Sequence, residues 1–192
     1  MNLQFTYLDD SNKESFVTFQ NTHSSPFSLN PTIFNISKQE YYENRSQDFN
    51  NIIPGLHVGN ENSGVKYGNQ FDLVVNCTPD VPFHSGCKGK IRIPVHDDPS
   101  EIDKMYNLIT NTQVLEKMHE VLEKNESVLV HCHQGISRSC TIVASYLIKY
   151  KNMTPGEAVQ YIKSKRPIAF HFGVHFKKLL NYFYKTKQQN MQ

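Results

Sequence analysis

The chain has 192 residues, room for one domain of about 150 residues with an extension rather than for two full domains. Hydrophobic residues at 38%, charged residues at 20%, nine Gly and nine Pro support a packed core and exclude collagen, wholesale disorder and mini-protein scaffolds. Twenty Lys plus Arg against eighteen Asp plus Glu leave a formal charge of only +2, so no nucleic-acid partner is expected on electrostatic grounds.

No apolar run approaches the ~18–20 residues a membrane span requires, and residues 1–25 lack the apolar core of a signal peptide. The expectation is a cytoplasmic or nuclear chain with no membrane partner. Cys77, Cys87, Cys132 and Cys140 are too few and too irregular for a disulfide framework, and no Cys-x-x-Cys pair marks a zinc site. Free thiols are therefore expected, with Cys77 and Cys140 as core residues, either of which could also trap an oxidised Cys132.

Residues 1–50 hold seven Asn, seven Ser and scattered aromatics without a helical period. They read as an extension, poorly structured or packed on the domain, with a candidate strand over Glu14–Phe19. Such an extension could recruit substrate, obstruct a site or mediate homodimerisation. From residue 51 to 184 short apolar runs alternate with helical periods, the pattern of an α/β layer fold with a mostly parallel sheet flanked by helices. An opening hairpin is predicted around Pro54-Gly55, then buried strands over Phe71–Cys77, Lys90–Val95 and Ser127–His131. One long helix or two joined ones cover Glu101–Lys124, and Ile142, Val143, Tyr146, Leu147 and Tyr150 form the face of the next. Thr154-Pro155-Gly156-Glu157 supplies an N-cap, a first-turn proline and a reciprocal glutamate for a helix that stops before Pro167. A last helix follows around Val174–Phe183, and residues 185–192 read as a polar tail.

The informative stretch is Val128-Leu129-Val130-His131-Cys132-His133-Gln134-Gly135-Ile136-Ser137-Arg138-Ser139, a buried strand running through a short loop into a helix. Wrapped into a cradle, the N–H groups of His133, Gln134, Gly135, Ile136, Ser137 and Arg138 would converge on one point with the following helix N-terminus. That is a site for a phosphate dianion. Gly135 permits the curvature, and the same dipoles with Arg138 nearby favour Cys132 as a thiolate nucleophile. Arg138 can hold two phosphate oxygens in its planar fork, and Ser139 can donate to the sulfur when it leaves. His131, Cys132 and His133 do not read as metal ligands, because alternate residues at a strand end face opposite ways and no second ligand pair has suitable spacing. His171 and His175 read as a solvated or packed pair.

The run His-Cys-x-x-Gly-x-x-Arg-Ser at 131–139 resembles the signature of the cysteine-dependent protein phosphatases, and the surrounding pattern is similar to the dual-specificity subclass. The likeness extends from Ile52 to Tyr184 and includes Leu-His-Val-Gly-Asn, Val-Val-Asn-Cys, Ile-Pro-Val-His-Asp, Thr-Pro-Gly-Glu-Ala and Lys-Arg-Pro. It implies the cysteine-based phosphatase fold and a two-step hydrolysis that needs no metal or cofactor. In that reaction Cys132 attacks phosphorus, Arg138 binds the phosphate, and an Asp donates a proton to the leaving oxygen and then activates water. By position the acid is Asp97, with Asp98 the neighbour that could be mistaken for it, and His131 orients the loop. The loop carries no lysine at His133, Gln134, Ile136 or Ser137, so a phosphoprotein substrate with phosphotyrosine or phosphoserine/threonine is implied. A phosphate-binding pseudo-phosphatase and an RNA 5′-phosphatase are the alternatives. One departure stands out: after Arg166-Pro167 the family usually shows a Pro-Asn step before a helix-starting Phe, whereas this chain reads Ile168-Ala169-Phe170-His171-Phe172-Gly173-Val174-His175-Phe176.

Overall fold

The computed structural model describes residues 2–8, 14–20 and 36–189, and the chain divides into two units, 1–35 and 36–192. In the first unit, β1 (Asn2–Leu8) and β2 (Glu14–Gln20) pair antiparallel, with Phe5 opposite Val17. The strand expected over Glu14–Phe19 is therefore present with a partner.

The second unit begins at Ile36, upstream of the boundary the sequence placed at residue 50. The physical reason is a capping box. The Glu40 N–H donates to Ser37 Oγ at 3.2 Å and the Ser37 N–H donates to Glu40 Oε2 at 2.7 Å, which starts α1 (Lys38–Arg45). Phe49 then opens β3 (Phe49–Ile53), which turns through Gly55, at φ +80°, into β4 (Leu56–Gly59). Next come α2 (Glu61–Tyr67), β5 (Leu73–Asn76) and β6 (Gly89–Arg92). The expected long helix is two, α3 (Ile102–Thr112) and α4 (Val114–Glu123), because Gln113 between them adopts φ 51° and breaks the helical path. The chain continues through β7 (Val128–His131), α5 (Arg138–Tyr150), α6 (Pro155–Lys165) and α7 (Lys177–Gln189). The last helix thus runs through much of the expected tail. Lys187 Nζ donates to Ile148 O and Lys149 O, both at 3.0 Å, so the polar end of α7 ties off the carbonyls at the end of α5.

The sheet order is β3-β4-β7-β5-β6, antiparallel only between β3 and β4. Strand β7 lies at the centre, with Val130 between Val58 and Val75, and its four residues are all buried. Burial on both faces is why Val128-Leu129-Val130 shows no alternation. Helices α4 and α5 pack on β7, and α6 and α7 pack on α5. Helix α5 is buried from Arg138 to Ile148, so the segment leaving the cysteine loop is the core helix itself. Fully burying an aliphatic side chain contributes about 1.5–3 kcal/mol, and the loop is clamped between two such elements. Among the described residues, no helix is long and apolar enough to cross a membrane.

Candidate active site

The site lies at the carboxyl end of β7, where a parallel sheet opens toward its ligand crevice. Every carbonyl of the loop from residue 133 to 137 is engaged from outside. The Glu61 N–H donates to His133 O at 3.1 Å and the Phe170 N–H to Ile136 O at 2.8 Å. Arg166 Nη2 donates to Gln134 O at 3.2 Å and Arg166 Nε to Gly135 O at 2.7 Å. Ser137 O accepts from the Thr141 N–H at 2.8 Å. In a trans peptide the C=O and the following N–H point in opposite directions. Outward carbonyls therefore turn the N–H groups of residues 134–138 inward, together with the N-terminus of α5. Gly135 is required at the tightest point: its φ is +66°, and a Cβ there would lie 2.6 Å from Gly59 O and 2.7 Å from Arg166 Nη2.

Cys132 is 1% exposed. Its sulfur accepts from the Gly135 N–H at 3.2 Å and lies 3.3 Å from Ser139 Oγ. Arg138 is 6% exposed. Its Nη1 donates to Val95 O at 3.0 Å and to Cys77 O at 3.4 Å, which holds the guanidinium against the chain just beyond β5 and β6. Its Nε and the Ser137 Oγ are buried and find no hydrogen-bond partner within the protein. Buried donors are rarely left so. Both residues line a pocket of about 340 Å³ together with His133, Asp97, Phe172 and His175.

The two candidate acids separate cleanly. Asp97 lines the pocket, with Oδ2 3.9 Å from Arg138 Nε and Oδ1 3.1 Å from His175 Nδ1. Asp98 instead accepts from the Ser100 N–H at 2.7 Å, a capping bond that holds its carboxyl below the usual carboxylate range. His131 is fully buried, with neither ring nitrogen bonded, and burial pushes its pKa down to about 4, so the ring is neutral. It packs on Gly64, where a Cβ would come 2.3 Å from the ring. Cys77 and Cys140 are buried free thiols, and burial pushes both up.

Three contacts at the loop have no signal in the sequence spacing. Arg166, 0% exposed, spans the back of the loop and also donates to Asn50 Oδ1 at 2.6 Å. His133 lies between two carboxylates, Glu61 Oε2 at 2.8 Å and Asp80 Oδ1 at 3.0 Å. His171 and His175 do not form a pair: the His171 ring packs 4.6 Å from that of Tyr41, whereas His175 meets Asp97. The departing segment after Pro167 still buttresses the loop, through the Phe170 N–H, at the cost of a left-handed backbone at Phe170 (φ 54°).

The family model described as the dual specificity phosphatase catalytic domain matches residues 56–186. The 123R protein of Invertebrate iridescent virus 6, named as a tyrosine phosphatase, is 32% identical over 120 residues, covering 62% of this chain and 80% of its own. Dual specificity protein phosphatase 14 of Mus musculus is 33% identical over 96 residues, half of this chain and 46% of that protein. The chain thus spans under half the length of the mouse relative. In fold, the crystal structure of human DUSP28 superposes with a TM-score of 0.64 at 24% identity, covering 74% of this chain and 96% of that one.

Proposed function

Because the chain belongs to the dual specificity phosphatase family, we propose that residues 36–189 form a phosphatase domain that hydrolyses phosphate monoesters on protein side chains through a phosphocysteine. The observation that carries this reading is a ring of inward N–H groups with an Arg138 Nε that has no hydrogen-bond partner, set over the buried thiol of Cys132. A dianion with its oxygens against those N–H groups and Arg138 places phosphorus next to the sulfur.

In the first step the sulfur of Cys132 forms a bond to phosphorus as the P–O bond to the leaving group breaks, and Asp97 passes its proton to that oxygen. In the second, water attacks the phosphocysteine, Asp97 takes up its proton, and the S–P bond breaks to release inorganic phosphate. Ser139 Oγ, 3.3 Å from the sulfur, donates to the departing thiolate. Arg138 and the N–H groups supply the positive field, so the steps route through no metal or cofactor. His131 is a neutral support for the strand end and moves no proton.

Phosphotyrosine and phosphoserine/threonine on proteins are the substrate class favoured. The loop side chains His133, Gln134, Ile136 and Ser137 include no lysine for a more highly charged ligand. The rim presents an exposed Phe172 together with the carboxylates of Glu61 and Asp80 beside His133. Those carboxylates, with a formal charge of only +2, weigh against an RNA 5′-phosphatase. Asp97 in the pocket wall weighs against a module that only binds phosphate.

The test is hydrolysis of 4-nitrophenyl phosphate and of phosphotyrosine and phosphothreonine peptides, with chelator and reductant, from about pH 5 to about pH 8. Turnover abolished by Cys132→Ser and weakened by Asp97→Asn supports the reading. A wild-type chain that binds phosphopeptide without turning it over replaces it with the binding module.

A further inference from the structure

The segment after Pro167, where the sequence departs from the family pattern, brings His175 to the acid. Its Nδ1 lies 3.1 Å from Asp97 Oδ1, while Asp97 Oδ2 lies 3.9 Å from Arg138 Nε. The two oxygens of one carboxyl therefore face different partners. His175 is held in place by its neighbour Phe176, which is fully buried, and by the turn at Gly173, whose N–H donates to Phe170 O at 3.0 Å.

We propose that His175 is a positioning residue for proton donation by Asp97. This rests on Asp97 being the general acid of the phosphatase reading. A carboxyl can carry its proton on either oxygen, and only one of the two arrangements serves a leaving group in the pocket. An oxygen that accepts an N–H bond is the poorer place for the proton, because a carboxyl's hydroxyl oxygen is a weaker acceptor than its carbonyl oxygen. With Nδ1–H donating to Oδ1, the proton of the acid sits on Oδ2, on the Arg138 side of the pocket. The same bond limits rotation of a side chain that is 35% exposed, so the acid is oriented before substrate arrives. After the proton has left, the bond persists to the carboxylate, and Oδ2 is free to accept a proton from the attacking water.

Leaving-group chemistry separates this role from a structural one. An oxygen leaving as a basic alkoxide or phenoxide needs the proton, and one leaving as a stable anion does not. The experiment compares kcat/KM, which reports phosphoenzyme formation, for two substrates. Phenyl phosphate has a leaving group about as basic as the tyrosine hydroxyl, near ~10, while 6,8-difluoro-4-methylumbelliferyl phosphate has a far more acidic one. The proteins are the full-length wild type, His175→Phe, His175→Asn and Asp97→Asn. His175→Phe should lose roughly 10-fold on phenyl phosphate and less than about 3-fold on the umbelliferyl ester, a fraction of the roughly 100-fold or larger effect of general-acid catalysis. Asp97→Asn should show the same split more strongly, and His175→Asn, which puts an amide N–H where Nδ1 stood, should restore phenyl phosphate turnover. If Asp97→Asn splits the substrates and His175→Phe does not, the inference falls and the acid assignment stands. His175→Asn behaving like His175→Phe also overturns it. If Asp97→Asn shows no split, the acid assignment falls and takes the inference with it.

Discussion

Replacing Arg166 with Met should damage the phosphate cradle as well as the fold. The guanidinium is fully buried and donates to Gly135 O at 2.7 Å, Gln134 O at 3.2 Å and Asn50 Oδ1 at 2.6 Å. A buried carbonyl left without a donor costs about 1–3 kcal/mol. Removing a buried cation recovers part of its desolvation, so a net loss of about 1–3 kcal/mol is expected. The loop can escape that cost by rotating the 134–135 or 135–136 peptide, but rotation swings a carbonyl into the cradle where an N–H stood. One charge-assisted contact to the dianion is worth about 1.5–3 kcal/mol, and the carbonyl adds repulsion. A fall of roughly 10- to 100-fold in kcat/KM follows. The assay is 4-nitrophenyl phosphate hydrolysis, with inhibition by inorganic phosphate as a measure of the cradle alone and urea unfolding as the stability control. Phosphate should inhibit the variant more weakly by a similar factor. A cooperatively folded Arg166→Met protein that keeps kcat/KM within about threefold of wild type would refute the reasoning.

His131 makes stability depend on pH with a definite sign. Its folded-state pKa of about 4 lies below the ordinary value of 6.5, so the unfolded chain takes up the proton first and stability falls as pH drops through that window. Linkage gives a loss of about 2 kcal/mol between about pH 7 and about pH 5. Urea midpoints should show it, and His131→Leu should remove that part of the slope. An unchanged slope in the variant counts against a buried neutral ring. Ser139→Ala removes the hydroxyl 3.3 Å from the Cys132 sulfur, so phosphoenzyme breakdown should slow by roughly 10- to 100-fold while its formation changes little. Rapid-quench kinetics should show a burst of phenol before slow turnover, and equal slowing of both steps would contradict the role given to Ser139.

What could be seen in the sequence was what is local. The β7 strand, the Cys132 loop and the start of α5 are contiguous, so the nucleophile, Gly135, Arg138 and Ser139 announce themselves together. The α6 cap was legible because Thr154 and Glu157 sit three apart, and the α1 cap was legible on the same grounds at Ser37 and Glu40. The residues around the α1 cap have no apolar period, and α1 buries none of its side chains. Helix α2 is short and carries Gly64, which the His131 ring requires. Arg166 could not be found by spacing, since its partners range from Gln134 to Asn50. The sequence gives no sign that His175 meets Asp97, 78 positions away, and the turn at Gly173 (φ 96°) sends His171 and His175 to different neighbours.

The phosphatase reaction turns on a covalent intermediate at Cys132, and trapping it is the direct measurement. Ser139→Ala, mixed with 4-nitrophenyl phosphate and quenched in denaturant within the burst, should yield a peptide bearing one phosphoryl group on Cys132 and no such group after Cys132→Ser. 4-Nitrophenol release with Cys132 unmodified, or with the phosphoryl group on His133, would contradict a phosphocysteine intermediate.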